Sequence, residues 1–297
     1  RLVRPEESGG CALDALWNDD FHHSVSVALC GRSEAYYSGY RGNAQELLST
    51  AKYGFLYQGQ WYEWQLDRRG TPAFDIPAAR FVNFVENHDQ IANSLQGLRS
   101  HQRTSPGRYR AVTALFLLLP QTPMLFQGQE FAASSPFLYF ADHRADLAKE
   151  VRGGRAGFLS QLPSMTSEEA ASLLDDPADP STFARCKLDW TEHASSGGAH
   201  AEALALVRDL LRLRRDDPAI RAQSGLADGS GEGPRYPLDG AVIDSDALML
   251  RFFGAREEDD RLLVLNLGRE KRPGSLAEPL VAPPLGMAWR TMWYSEH

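Results

Sequence analysis

The sequence predicts an α/β fold, part of a (β/α)8 barrel, followed by a small all-β domain. Three observations carry that reading. Predominantly apolar runs, 81–85 (FVNFV) and 123–126 (PMLF), end abruptly in polar residues. This is the pattern of parallel strands buried on both faces, with loops at their carboxyl ends. About three strand–helix units fit before residue 220, whereas a closed barrel takes eight over about 250 residues. Beyond the glycine-rich turn signal at 225–234 (GLADGSGEGP) only strand patterns remain. The expected division is a partial barrel over 1–219 and an all-β domain over 220–297.

Each element has its own warrant. Residues 13–20 form a short apolar stretch ending in polar groups, and 21–30 read as a helix. Residues 43–53 read as a second helix, with Leu47, Leu48 and Ala51 on one face. Residues 53–74 are aromatic, glycine-rich and loop-like. The strand at 81–85 follows, then an apolar helix over 108–119 stopped by Pro120, then the strand at 123–126. Irregular segments come next, with a short helix at 168–174. Residues 200–215 are an amphipathic helix, with Leu204, Val207, Leu210, Leu211 and Arg214 at helical spacing and Pro218 behind it. Residues 247–253 and 262–267 read as a hairpin across a charged turn, and 288–294 as a further strand.

Composition excludes several classes of function. The chain has 297 residues, 43% hydrophobic and 24% charged, too apolar and mixed for disorder. Lys and Arg total 31 against 39 Asp and Glu, a net charge of −8, so nothing argues for a nucleic-acid partner or a basic membrane-binding face. No run approaches the roughly 20 apolar residues of a membrane-spanning helix. Residues 1–10 hold no apolar signal-peptide core. Cys11, Cys30 and Cys186 lie far apart, forming neither a disulfide framework nor a zinc pair, and a cytoplasmic compartment is expected. No metal or cofactor site is visible. Residues 153–157 (GGRAG) lack the GK[ST] ending of a phosphate loop, and no serine sits in a GxSxG elbow.

Three clusters could carry chemistry. Asn87-His88-Asp89-Gln90 follows a buried strand. Amides and an imidazole suit sugar hydroxyls, and an aspartate suits positive charge developing on a sugar ring. The same residues suit a capped turn, and spacing leaves both open. In Trp17-Asn18-Asp19-Asp20-Phe21-His22-His23 the paired carboxylates invite acid/base chemistry, while Asp19 or Asp20 could instead cap a helix. The paired histidines are a weak metal signal, because adjacent helical residues point apart. Glu130 is a third strand-end carboxylate, and Trp61, Tyr62 and Trp64 are aromatics that could stack on sugar or cover the core.

These residues also carry a resemblance. Asn87-His88-Asp89-Gln90, with Ile91 and Asn93 after it, resembles the seventh-strand motif of the α-amylase superfamily. Residues 13–23 (LDALWNDDFHH), Tyr36-Tyr37, 126–131, 136–143 (PFLYFADH) and 151–155 are similar, in order, to segments typical of the malto-oligosyltrehalose trehalohydrolase family. The resemblance covers about residues 1–160 and is looser beyond. It makes the barrel segment the C-terminal part, about strands six to eight, with the all-β domain cut short, and implies a retaining hydrolase. That hydrolase would cut the α-1,4 bond next to the trehalose end of maltooligosyltrehalose. It casts Asp89 as the transition-state stabiliser, with His88 beside it, and Trp17, Asn18, Asp19, Asp20, Phe21, His22, Asn87, Gln90, Ile91, Asn93 and Glu130 as substrate-binding. The family's nucleophilic Asp and acid/base Glu have no matching segment here, so a carboxyl-side fragment, inactive and poorly soluble alone, is expected. Gln129 stands where the family's motif has Glu. The other readings are a glucan-branching enzyme or related α-glucan transferase, and a non-catalytic glucan-binding remnant.

Overall fold

The computed structural model describes residues 1–167, 174–223, 238–270 and 276–296. Strand β1 (Leu16–Trp17) leads into helix α1 (Asp19–Cys30) and helix α2 (Ala44–Tyr53). A small hairpin follows, β2 (Gln60–Tyr62) against β3 (Asp67–Arg69), within the stretch expected to be loop. Then come β4 (Phe81–Asn83), α3 (His88–Ala92), α4 (Pro106–Leu118) and β5 (Thr122–Pro123). Strands β1, β4 and β5 are parallel neighbours in that order, each followed by helix. The strands are shorter than the apolar runs suggest. In β5 the ladder stops where Pro123 removes a donor, and the N–H of Met124 reaches the carbonyl of Asn83 at 2.8 Å.

Local chemistry fixes the helix ends. The Asn18 side chain, rather than Asp19 or Asp20, caps α1 by accepting from the Phe21 N–H, and the two aspartates fill the first turn, where the helix dipole favours them. Asn43 caps α2 in the same way, and Gly31 and Gly54, both at positive φ, end α1 and α2. Helix α4 opens with Ser105 as cap and Pro106 in its first turn. Helix α5 (Ala145–Leu159) was not expected, since Gly153, Gly154 and Gly157 suppress the pattern. It is followed by α6 (Pro180–Arg185), α7 (Trp190–His193), α8 (Gly198–Asp216) and α9 (Pro218–Ala222). The short helix expected over 168–174 and the turn over 225–234 lie outside the described residues, apart from Leu174.

An antiparallel sheet closes the chain: β6 (Leu238–Asp244), β7 (Ala247–Phe252) and β8 (Arg261–Asn266), with β7 central. Residues 288–294 are not a strand. The Trp289 Nε1–H donates to the Val281 carbonyl and the Ser295 carbonyl accepts from Arg110, so this segment is tied by side chains rather than by a ladder. One apolar core runs through Phe21 and Val25 of α1, Leu47 and Leu48 of α2, Leu115 and Phe116 of α4, Leu210 of α8, and Leu248 and Leu250 of β7. The sheet is fastened to α2 by Lys52 Nζ on Asp239 at 2.6 Å and by the Ala44 N–H on the Ser245 carbonyl at 2.8 Å.

Candidate active site

The open ends of β1 and β4 carry the motif residues. Asn87 is buried and turns its carboxamide oxygen onto the N–H groups of Asp89 (2.9 Å) and Gln90 (3.3 Å), capping α3. That cap presents His88 and Asp89 outward, with side chains 56% and 67% exposed and Nε2 of His88 3.8 Å from Asp89 Oδ1. Trp17, at the end of β1, lies edge-on to the His88 ring at 6.3 Å and packs on Phe84 at 5.6 Å. Ile91 is buried behind this turn.

Beside Asp89 is a pocket of about 260 Å³. It gathers Asp19, Asp89, Gln90 and Asn93 from the expected set. Its other walls are His23 and Tyr36, the hairpin residues Tyr62, Trp64, Gln65 and Arg69, and Phe158 from α5. Asp19 and His23 are one helical turn apart on α1, which is why both reach the pocket while their neighbours turn inward. Asn18, Asp20, Phe21 and His22 are buried. Asn18 Nδ2 donates to the Gly54 carbonyl and to Asn83 Oδ1, and Phe21 lies in the core. Asp20 accepts from the Tyr40 hydroxyl (2.6 Å), the Tyr57 N–H (2.8 Å) and Arg69 Nε (3.3 Å). Glu130 sits half-buried in the turn after β5 and does not line the pocket.

Burial sets the electrostatics. It raises the Asp19 carboxyl above the usual range; Arg69 opposes this, and Asp20 and Asp89 add to it. Burial also drives His22 down to about 4, and His23 well below its ordinary value, with His22 and Arg69 adding to the latter. His22 is therefore a neutral post: Nδ1 sits 2.9 Å from the Val85 carbonyl, which can only accept, and Nε2 3.2 Å from the Tyr37 hydroxyl. The pocket thus offers two carboxylates, one guanidinium, amides and aromatic faces, an inventory suited to an uncharged polyhydroxyl ligand. Among the described residues no group of three or more His, Cys, Asp or Glu side chains converges to hold a metal. None of the described helices is long and apolar enough to cross a membrane.

Sequence reasoning missed Gln65, Arg69 and Phe158. The glycines flanking the hairpin, Gly59 and Gly70, were a turn signal that could have exposed it. Arg69 meets Asp20 across 49 positions, a pairing no local pattern reveals.

The chain is similar to several known proteins. A malto-oligosyltrehalose trehalohydrolase from Deinococcus radiodurans is 40% identical over 264 residues, 88% of this chain and 40% of that protein. Proteins of the same name from Arthrobacter ramosus and Mycobacterium tuberculosis are 36% and 33% identical, over 80% and 98% of this chain and 41% and 46% of theirs. The chain therefore spans less than half the length of each of these relatives. A Salmonella typhimurium crystal structure provisionally named an alpha amylase has a TM-score of 0.72 at 30% identity, covering 88% of this chain and 42% of that one. Residues 238–297 match a family described as a domain of unknown function (DUF3459). The parallel strands are thus those of the C-terminal part of a (β/α)8 barrel, with a β-sheet domain behind them. The chain belongs to the malto-oligosyltrehalose trehalohydrolase family, within the α-amylase superfamily of glycoside hydrolases.

Proposed function

We propose that the chain is the carboxyl-side part of a retaining hydrolase that cuts the α-1,4 bond next to the trehalose end of maltooligosyltrehalose and releases trehalose. The observation that carries this is Asp89, held exposed by the Asn87 cap at the lip of a pocket lined by carboxylates, amides and aromatic rings. Its carboxylate has the freedom and the sign to face an oxocarbenium-like transition state. His88 and Gln90 flank it and offer hydrogen bonds to hydroxyls. The nucleophile and the acid/base come from outside residues 1–297, so the chain alone binds α-glucan without cleaving it. The division into a barrel part, 1–219, and an all-β domain, 220–297, belongs to the same reading. So does a cytoplasmic location, which the three unpaired thiols suit.

The test is Asp89→Asn in the protein extended to its upstream catalytic carboxylates. Trehalose release should fall roughly 10²–10³-fold or more, the scale of a lost transition-state electrostatic contact. The unfolding midpoint should not move, because the Asp89 side chain is two-thirds exposed. Unchanged turnover would remove Asp89 from the chemistry, and α-1,6 bonds among the products would favour a branching transferase instead.

A further inference from the structure

The hairpin brings to the pocket a cation that no motif marked. Arg69 ends β3 with its side chain 22% exposed. Its Nε is 3.3 Å from Asp20, and its guanidinium lies 5.0 Å from the centre of the Tyr62 ring. Asp20 already accepts from Tyr40 and Tyr57, so it holds one edge of Arg69 without needing the rest. No other hydrogen bond from the Arg69 side chain is present among the described residues, which leaves its terminal nitrogens as donors at the pocket wall. Asp19 lines the same pocket, half-buried, and no ion pair within 4 Å joins it to Arg69. A donor fork and an acceptor therefore share one space without satisfying each other. That is the complement of two neighbouring hydroxyls, each of which donates and accepts.

We propose that Arg69 and Asp19 clamp adjacent hydroxyls of a single hexose ring, and that Arg69 is a specificity-determining residue of this site. The inference rests on the α-glucan reading above and deepens it. Pockets for drug-sized ligands run to about 300–1,000 Å³, so about 260 Å³ suits one ring rather than two. Trp64 and Phe158, each 41% exposed, supply apolar faces for the ring's C–H groups. Asp19 and Asp89 outnumber Arg69 at this wall, so a phosphorylated sugar is repelled and an uncharged one accepted.

The experiment is calorimetric titration with maltotriose of the protein extended to its upstream catalytic carboxylates. Arg69→Lys keeps a cation beside Asp20 and Tyr62 but loses the planar fork. It should weaken binding about tenfold or more while leaving the unfolding midpoint in place. Asp19→Asn should weaken binding similarly, and the double variant should lose less than the product of the two single losses, because both side chains hold the same hydroxyl pair. Undiminished binding by Arg69→Lys, or fully multiplicative losses, would overturn this inference alone. No binding of maltotriose by the unaltered, folded protein would overturn the α-glucan reading together with it.

Discussion

Removing the Asn18 carboxamide would strand several polar groups at once: the Phe21 N–H, the Gly54 carbonyl and Asn83 Oδ1, all around a fully buried position. Asn18→Ala should therefore cost about 2–4 kcal/mol, combining a lost cap with buried unpaired groups. Urea unfolding with an unchanged slope is the measurement. The histidines make stability depend on pH. His22 and His101 are held neutral down to about 4 by burial, whereas the unfolded chain protonates them below about 6.5. The unfolded state binds more protons across that window, so stability should fall as pH drops from about 6.5 to about 4, by on the order of a few kcal/mol. Urea midpoints taken from neutral pH downward check this, and a flat profile would contradict it. At this scale the sequence was half legible. The segment Asn18–His22 reads as a contiguous substrate loop, but a helix turns each residue about 100° from the last. The pocket therefore receives Asp19 and His23, while the residues between them hold the fold.

Helix α5 shows what pattern reading loses at the level of elements. Its only fully buried side chain is Leu159, so it has almost no apolar stripe to announce it, and three glycines disguise the rest. It nevertheless brings Phe158 to the pocket and ties Arg155 to Asn93 Oδ1 at 3.1 Å, just beyond the Asp89 turn. A Cβ at Gly153, Gly154 or Gly157 would meet nothing within 4 Å. Each change to Ala should add roughly 0.5–1 kcal/mol of helix stability, read as slower amide exchange across residues 145–159. Unaltered exchange in the triple variant would mean that the helix is held by its tertiary contacts instead. The helices at Asp19–Cys30, Ala44–Tyr53, Pro106–Leu118 and Gly198–Asp216 were legible because periodicity or a long apolar run coincided with a cap, a glycine or a proline. The Gln60–Tyr62 and Asp67–Arg69 pair was not, because three-residue strands carry too little alternation.

Across the molecule, two long-range devices hold the site in place. Glu86 and Arg99, 1% and 0% exposed, lie 3.6 Å apart just before the Asn87 cap. Arg99 also donates to the Ser135 and Gln127 carbonyls, and Glu86 accepts from the Ser100 N–H. Arg99→Met would leave Glu86 buried without its cation, at a cost of about 3–5 kcal/mol, measurable as a lowered unfolding midpoint. The second device is the join between the sheet and the helices. The compositional break near 220 marks a change from α/β to all-β, but Leu48, Leu115, Leu248 and Leu250 share one core across it. At that join, Gly240 lets β6 lie so close that a Cβ there would come within 2.7 Å of the Leu48 side chain and 2.4 Å of the Met249 carbonyl. A methyl at 240 therefore acts as a wedge under the sheet, and a smaller side chain at 48 would not admit it, because the Met249 carbonyl stands in the way as well. The β-sheet domain is in this sense not an interchangeable part: transplanted to another barrel, it would carry with it a demand for a helix whose side chain fills the hollow that Gly240 leaves.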